Sequence, residues 1–314
     1  MAVSIIMSAF NAEKYISEAI ESVLNQTYKD FEFIIINDGS TDNTGKIIKK
    51  YSKLDSRIKY FEQENKGMGE SLNFALSLCS NELVARIDAD DLMIPNRIER
   101  QINFFKKHPE YSVVATFVKY INEKGEIIGG KKSKLTSWNI IEEEYKSNKL
   151  VGFHHPSVMY KKSNILEVGG YRREYWPADD IDLWNRLLEK GFKIIVLPEF
   201  LTLYRISISS VTVSKSIETD MKKNFVKHNM LLRRKGLNEI SWDEYINNLN
   251  KQKLYLRLNE RRKNYVHFLY KNITIFYATK KYIKLILNSI ILFLIGPIYF
   301  VKKILNISIW TKQN

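Results

Sequence analysis

Cysteine is almost absent from this 314-residue chain: Cys79 stands alone, so no internal disulfide can form and a small disulfide-stapled scaffold is excluded. The opening residues, MAVSIIMSAF, lack the basic stretch and small-residue cleavage site of a secretory signal, and we expect a reducing, cytosolic compartment. Thirteen Gly and six Pro are too few for a collagen-like repeat, and a 45% hydrophobic content is too high for disorder. Internal repeats and long low-complexity segments are also missing. Acid is scarce in one region only. Residues 251–314 carry thirteen Lys or Arg against a single acid, Glu260, for a net +12, whereas the first 250 residues carry 36 bases and 34 acids. The overall charge of +14 therefore belongs to the tail and not to the body of the protein.

What is present is enough apolar residue to fill the core of one large or two modest domains. The first hundred residues alternate β-branched runs with helical patterns, the signature of βα units feeding a mostly parallel sheet. Val3–Ala9 reads as a buried strand, with Asn11 as the cap of a helix whose face is Ile16, Ala19, Ile20 and Val23. Phe31–Ile36, Ile58–Phe61 and Leu83–Ile87 read as further strands, and Thr41 or Asp42 as the cap of a helix through Tyr51. Gly69–Leu78 is expected to be helical, and Pro95 is expected in the first turn of a helix with Ile98, Ile102 and Phe105 inside. After a strand at Val113–Val118, Asn122-Glu-Lys-Gly125 reads as a hairpin turn. Trp138–Tyr204 follows without a linker and is assigned to the same domain, and residues 214–270 read as helical.

In an open α/β sheet ligands bind beyond the carboxyl ends of the strands. Here those ends are polar four times over: Asn11, Asn37-Asp38-Gly39-Ser40, Asn65-Lys66-Gly67 and Asp88-Ala89-Asp90-Asp91. One such end is ordinary turn chemistry, but four on one edge suggest a binding site. Three carboxylates within four residues repel one another unless a cation is present, and a hard divalent ion with a substrate diphosphate suits a short acidic cluster. The competing explanation is helix-dipole complementation ahead of Pro95. Asp38 can accept hydrogen bonds from a base or ribose, or form an Asx-turn. Gly67 and Gly69 allow close backbone approach. Asp179-Asp180-Ile181-Asp182 opens a helix and offers either dipole complementation or a general base. Of His154 and His155, the second is retained as a site candidate. Arg205 either clamps a phosphate or pairs with a nearby acid.

In order and spacing these segments resemble the glycosyltransferase family 2 pattern, inverting nucleotide-sugar transferases with a GT-A-type fold. The resemblance rests on SIIMSAFNAEKYISEAIESVLNQTYKDFEFIIINDGSTDNT, ENKGMGESLNFAL, ARIDADDLMIPNRIERQ, HHPSVMYKK, GGY and ADDIDLWNRL, and covers residues 1 to about 212. It resembles most the branch active on bacterial capsule and O-antigen polysaccharides, which shares Leu72-Asn73 where many relatives have Arg-Asn. It implies that Ala9, Asn11 and Asp38 line the nucleotide, with Gly67, Arg86 and Ala89 close by. It also implies Asp88 and Asp90, supported by Asp91, as ligands of Mg²⁺ or Mn²⁺, and Asp180, preceded by Asp179, as general base. A histidine that many relatives carry after Tyr-Arg is Ser207 here. The implied domains are residues 1–212, divided into a nucleotide-sugar half (1–110) and an acceptor half (111–212), then a basic helical region (213–284) and an apolar tail (285–314).

The implied reaction moves a hexose or N-acetylhexosamine from a UDP-sugar to a glycan hydroxyl, the glycan being carried on polyprenyl diphosphate. Residues 251–284 mix ten Lys or Arg with aromatic and aliphatic residues, which suits an anionic membrane surface. Leu285–Val301 is uncharged, but as a helix it is roughly 25 Å long against a hydrocarbon core of roughly 30 Å. Lys280, Lys281 and Lys284 on one side balance Lys302 and Lys303 on the other, so we expect a peripheral or re-entrant anchor on the cytoplasmic face. Two rival readings are a nucleic-acid-binding protein using the basic tail and a nucleotidyltransferase on a related fold. The uncharged run argues against the first, and no nucleic-acid partner is expected.

Overall fold

The computed structural model describes residues 1–207, 215–278 and 281–301. The expected domain boundary at 212, together with Lys280, Lys302 and Lys303, lies outside the described residues. The sheet starts with β1 (Val3–Ala9), β2 (Phe31–Asp38), β3 (Ile58–Gln63) and β4 (Leu83–Arg86), ordered β3-β2-β1-β4 and parallel throughout. It continues as β8 (Met159–Lys161), β6 (Tyr111–Ile121), β9 (Lys193–Arg205) and β5 (Leu92–Met93), with β7 (Ile127–Lys131) as a hairpin partner of β6. Here β6 and β9 run parallel, whereas β8, β5 and β7 are antiparallel to their neighbours, so the whole sheet is mixed. Pro198 falls where β9 slips register against β6, as expected of a residue with no N–H for the ladder.

Alternation along the strands builds two cores. Ile5, Met7, Phe33, Ile35 and Ala85 face one side, covered by α1 (Ile16–Leu24) and α4 (Arg97–Lys107). Ile6, Ile34, Ile36 and Val84 face the other, covered by α3 (Met68–Leu78) and α7 (Asp179–Glu189). The remaining helices of the first domain are α2 (Thr44–Leu54), α5 (Trp138–Lys146) and α6 (Lys162–Glu167). Among the described residues, the C-terminal region forms the helices α8 (Ser216–Arg234), α9 (Trp242–Lys251), α10 (Leu254–Ala278) and α11 (Tyr282–Ile295). Phe225, Val226 and Tyr245 of α8 and α9 pack on Tyr175 and Ala178, just ahead of α7. Glu239, between α8 and α9, receives Arg172 at 2.9 Å and also pairs with Arg233, tying this region to the sheet domain.

Three expected helix starts are placed differently. Helix α2 begins at Thr44 with Asn43, not Thr41 or Asp42, in its cap position. Helix α1 starts at Ile16 without a side-chain cap, and Asn11, at φ +48°, instead accepts the Thr41 N–H at 2.8 Å. Pro95 lies outside α4, whose cap position is Asn96, and its carbonyl accepts the Thr27 N–H at 2.7 Å. At Asn11 and Pro95 a contact between loops far apart in sequence outcompetes a local one.

Candidate active site

The chain leaves β1 toward β2 on one side of the sheet and leaves β4, adjacent and parallel to β1, toward β5 and β6 on the other, so the crevice beyond their carboxyl ends is a topological switch point. Four loops meet there. The one after β1 is joined to the one after β2: Asn11 N–H donates to Ser40 Oγ at 3.0 Å, Ala12 N–H to Thr44 Oγ1 at 2.7 Å and Glu13 N–H to Asp42 Oδ2 at 3.1 Å. Asn37, not Asp38, forms the Asx-type bond, accepting the Ser40 N–H. Asp38, only 2% exposed, reaches across to the third loop. Its carboxylate accepts Gln63 Nε2 at 2.7 Å and the backbone N–H groups of Lys66 and Gly67, both at 2.9 Å. A side chain on Gly39, at φ +72°, would meet Asn65 N at 2.7 Å, so the close approach of these loops depends on glycine there. Gly67, at φ +90°, precedes α3 and has open space where its Cβ would be. Ala9 is buried.

The fourth loop holds the acidic cluster. One oxygen from each of Asp88, Asp90 and Asp91 lies within 4.8 Å of the others. Burial and the neighbouring Asp88 push the Asp90 carboxyl up to about 6, and burial with Asp90 and Asp88 pushes Asp91 well above the usual carboxylate range. Asp91 Oδ1 accepts the Arg205 N–H at 2.7 Å, and its Oδ2 is buried with no hydrogen-bond partner among the described residues. Carboxylates close together, held short of full ionisation and with an unused buried oxygen, fit a hard divalent cation. Ala89 is nearly buried between them.

Two arginines hold this loop. Arg86, 1% exposed, lies beneath the cluster and binds both oxygens of Asp88 through its guanidinium, and Met68 Sδ at 3.2 Å. Arg205, 2% exposed, pairs with Glu18 at 2.8 Å, donates to the Asp90 carbonyl at 2.8 Å and stacks on Tyr15. Of the two roles the sequence leaves open for Arg205, the structure shows pairing with an acid. A third, Arg97, escapes a reading of the sequence because nothing in a helix-forming stretch marks it. It is fully buried and donates to the carbonyls of Pro156, Arg86 and Val158 at 2.7–2.9 Å, locking the end of β4 to β8.

The three aspartates opening α7 have distinct surroundings. Asp182 is fully buried between Arg172 Nε at 2.9 Å and Arg186 Nε at 2.8 Å, and is thereby unavailable as a base. Asp180 is half-buried, and its Oδ1 accepts the Ile181 N–H at 2.8 Å. Burial raises its carboxyl above the ordinary value, with Lys223 of α8 and Arg86 near enough to oppose the rise. Asp179, 5% exposed, has an Oδ2 with no hydrogen-bond partner among the described residues, and a Cβ on Gly69 would approach it to 3.2 Å. Burial and then Asp180 push it up to about 7. Since its proton is retained more strongly in the folded chain, stability is fully present below about pH 4 and declines as pH rises through about 7. We expect Asp179→Asn to melt like the parent at about pH 4 and to be more stable above about pH 7 by about 4 kcal/mol, because asparagine never has to ionise inside the fold. A difference independent of pH would contradict this.

Arg86 acts electrostatically on Asp179 and Asp180 as well as on Asp88, Asp90 and Asp91. Two acidic clusters some ninety residues apart in sequence thus lie within the electrostatic reach of one buried guanidinium, which contacts Asp88 directly. Near them, His155 Nε2 is 2.7 Å from Tyr171 OH, and burial lowers its pKa well below the usual histidine value. His154, held 3.2 Å from Tyr120 OH, is lowered to about 4 for the same reason. Both rings are neutral at physiological pH. Asn73 brackets Tyr171, donating to its carbonyl at 2.8 Å and accepting its N–H at 2.9 Å.

Residues 4–169 match the model of glycosyl transferase family 2, and the chain belongs to that family; it is a glycosyltransferase with a GT-A-type fold. It is 36% identical over 219 residues to the O-antigen biosynthesis glycosyltransferase WbnJ of Escherichia coli, spanning 68% of this chain and 82% of that protein. Among solved structures, S. aureus TarS 1–349 in complex with UDP-GlcNAc superposes with a TM-score of 0.58 at 19% identity, covering 92% of this chain and 89% of that one. The mannosyltransferase PcManGT from Pyrobaculum calidifontis, in complex with GDP-Man and Mn²⁺, gives 0.56 at 16% identity, covering 88% and 73%. At those identities the likeness is one of fold.

Proposed function

We propose that this enzyme transfers a hexose or N-acetylhexosamine, with inversion, from a UDP-sugar to a glycan hydroxyl in bacterial surface polysaccharide assembly. The observation that carries the reading is the Asp88, Asp90 and Asp91 cluster held on Arg86 beyond the end of β4, with Asp180 within the electrostatic reach of the same guanidinium. The naming of WbnJ supports the polysaccharide context, and UDP-GlcNAc in TarS supports the donor class. The acceptor is carried on polyprenyl diphosphate, and the reaction takes place at the cytoplasmic face of the membrane.

Ala9, Asn11, Gly67 and Ala89 border the nucleotide, and Asp38 keeps the Gly67 amide in position. Asp88 and Asp90, with Asp91 behind them, hold Mg²⁺ or Mn²⁺, which when bound neutralises charge on the diphosphate. Asp180 accepts the proton of the acceptor hydroxyl as that oxygen bonds to the anomeric carbon from the face opposite the departing diphosphate. Asp180 suits this role better than its neighbours: Asp182 is held by two arginines, and Asp179 keeps its proton up to about pH 7. Lys223, on a helix beyond the family match, helps to keep Asp180 ionised.

The test needs no acceptor. UDP-Gal, UDP-Glc, UDP-GalNAc and UDP-GlcNAc are screened for thermal stabilisation of the full chain with Mn²⁺, Mg²⁺ or EDTA. We expect one sugar nucleotide to stabilise by about 2.7 kcal/mol at a hundredfold excess over its Kd, only with metal. Asp90→Ala should abolish that increment. Stabilisation by none of the four, or equal stabilisation in EDTA, would overturn the donor and metal assignments.

A further inference from the structure

Helix α11 is apolar on the side that faces away from the protein. Its inner side packs on α10 through Leu292 against Val266 and Leu269, and Gly296 just beyond it comes so close to Val266 that a Cβ would meet Cγ2 at 2.8 Å. The outer side carries Ile283, Ile286, Leu287, Ile290, Phe293 and Leu294, which are 51–78% exposed. At 100° per residue these six fall within about one-third of the helix circumference, a continuous stripe and not scattered surface residues. A water-facing helix would reverse this pattern.

Charge selects what covers the stripe. Lys281 and Lys284, both exposed, flank its beginning, and Arg261, Arg262 and Lys263 are exposed on α10. The sequence from 251 onward holds one acid against thirteen bases. A second copy would bring two strongly positive surfaces together, whereas an anionic lipid surface offers hydrocarbon for the stripe and phosphate for the lysines. Crossing the bilayer is not the alternative: no helix among the described residues is long and apolar enough. At 14 residues α11 is about 21 Å long, against roughly 30 Å of hydrocarbon.

We propose that the α10–α11 hairpin is a monotopic docking face for an anionic bilayer, with α11 lying in the interface. The hairpin is held against the catalytic domain by Asp220 of α8, which pairs with Lys271 at 3.3 Å and lies 3.7 Å from His267, both on α10. Helix α8 in turn packs beside α7, so docking fixes the distance of Asp180 from the lipid. The docking face stands apart from the donor and base assignments.

The test is sedimentation of the full chain with vesicles of phosphatidylcholine alone or mixed with phosphatidylglycerol. We expect binding to the anionic vesicles at least about tenfold tighter than to neutral ones, weakening as salt is raised. Ile283→Asp with Leu294→Asp, both at exposed positions, should reduce that binding at least about tenfold with an unchanged melting temperature. Lys281→Glu with Lys284→Glu should remove the preference for phosphatidylglycerol. Failure of the parent to bind either vesicle, or equal binding by the double-Asp variant, would overturn the proposal. So would a dimer in solution that the double-Asp variant makes monomeric, which would assign the stripe to a second copy.

Discussion

Asp180→Asn is expected to lower sugar transfer by about 10²–10⁴-fold, the usual worth of a positioned general base, while UDP-sugar affinity stays within about twofold. The asparagine keeps the size of the side chain and can keep the bond from the Ile181 N–H, so the start of α7 is preserved. Only proton acceptance is lost. The parent should lose activity on the acid side of its pH profile, because Asp180 must be ionised and burial raises its carboxyl above the ordinary range. In Asp180→Asn that acid limb should disappear from the residual rate. Transfer at the parental rate would remove Asp180 from the mechanism and leave Asp179 as the nearest carboxyl. Asp182→Asn makes the informative contrast. It removes the carboxylate shared by Arg172 and Arg186, leaving Arg172 with Glu239 alone and Arg186 with backbone carbonyls, so its loss should register as a lower melting temperature and not as a selective fall in rate.

The parts of this site legible in the sequence are those fixed by local pattern. Val3–Ala9 is strand β1 residue for residue, because a short β-branched run beside polar turn residues leaves little choice. Asp88, Asp90 and Asp91 stand out as a crowded cluster, and Asp180 through the motif around it. The hairpin turn at Asn122–Gly125 also stands, with Asn122 Oδ1 accepting the Lys124 and Glu126 N–H groups. What cannot be read depends on contacts between distant segments. Strand β8 is three residues long and is a strand only because β4 and β6 flank it. Strand β5 is two residues long and exists by pairing with β9. Asp38 looks free to meet a ligand in the sequence, but its partners lie 25 to 29 residues away in a loop whose path no local rule specifies. Arg205 and Arg97 show the same limit in another form: an arginine in sequence says nothing about which carbonyls or carboxylates fold around it.

Replacing Arg86 by methionine is expected to have the largest effect on stability of any single change at the crevice. Arg86 is the buried cation common to both acidic clusters, and it binds Asp88 directly. Methionine fills similar space and is compatible with the Met68 contact, so the loss is one of charge and not of packing. Without divalent metal, Asp88 would be left near Asp90 and Asp91 with no buried partner, a situation that costs about 3–5 kcal/mol. In EDTA the melting temperature should therefore fall by about 6–15 °C for a domain of this size. Added Mn²⁺ should then recover more stability in Arg86→Met than it adds to the parent, because in the parent the guanidinium already satisfies Asp88. That inequality separates the electrostatic account from a purely structural one. If Mn²⁺ raises both melting temperatures equally, Arg86 and the metal act on different carboxylates. If the variant melts with the parent in EDTA, the guanidinium is not what holds these acids together.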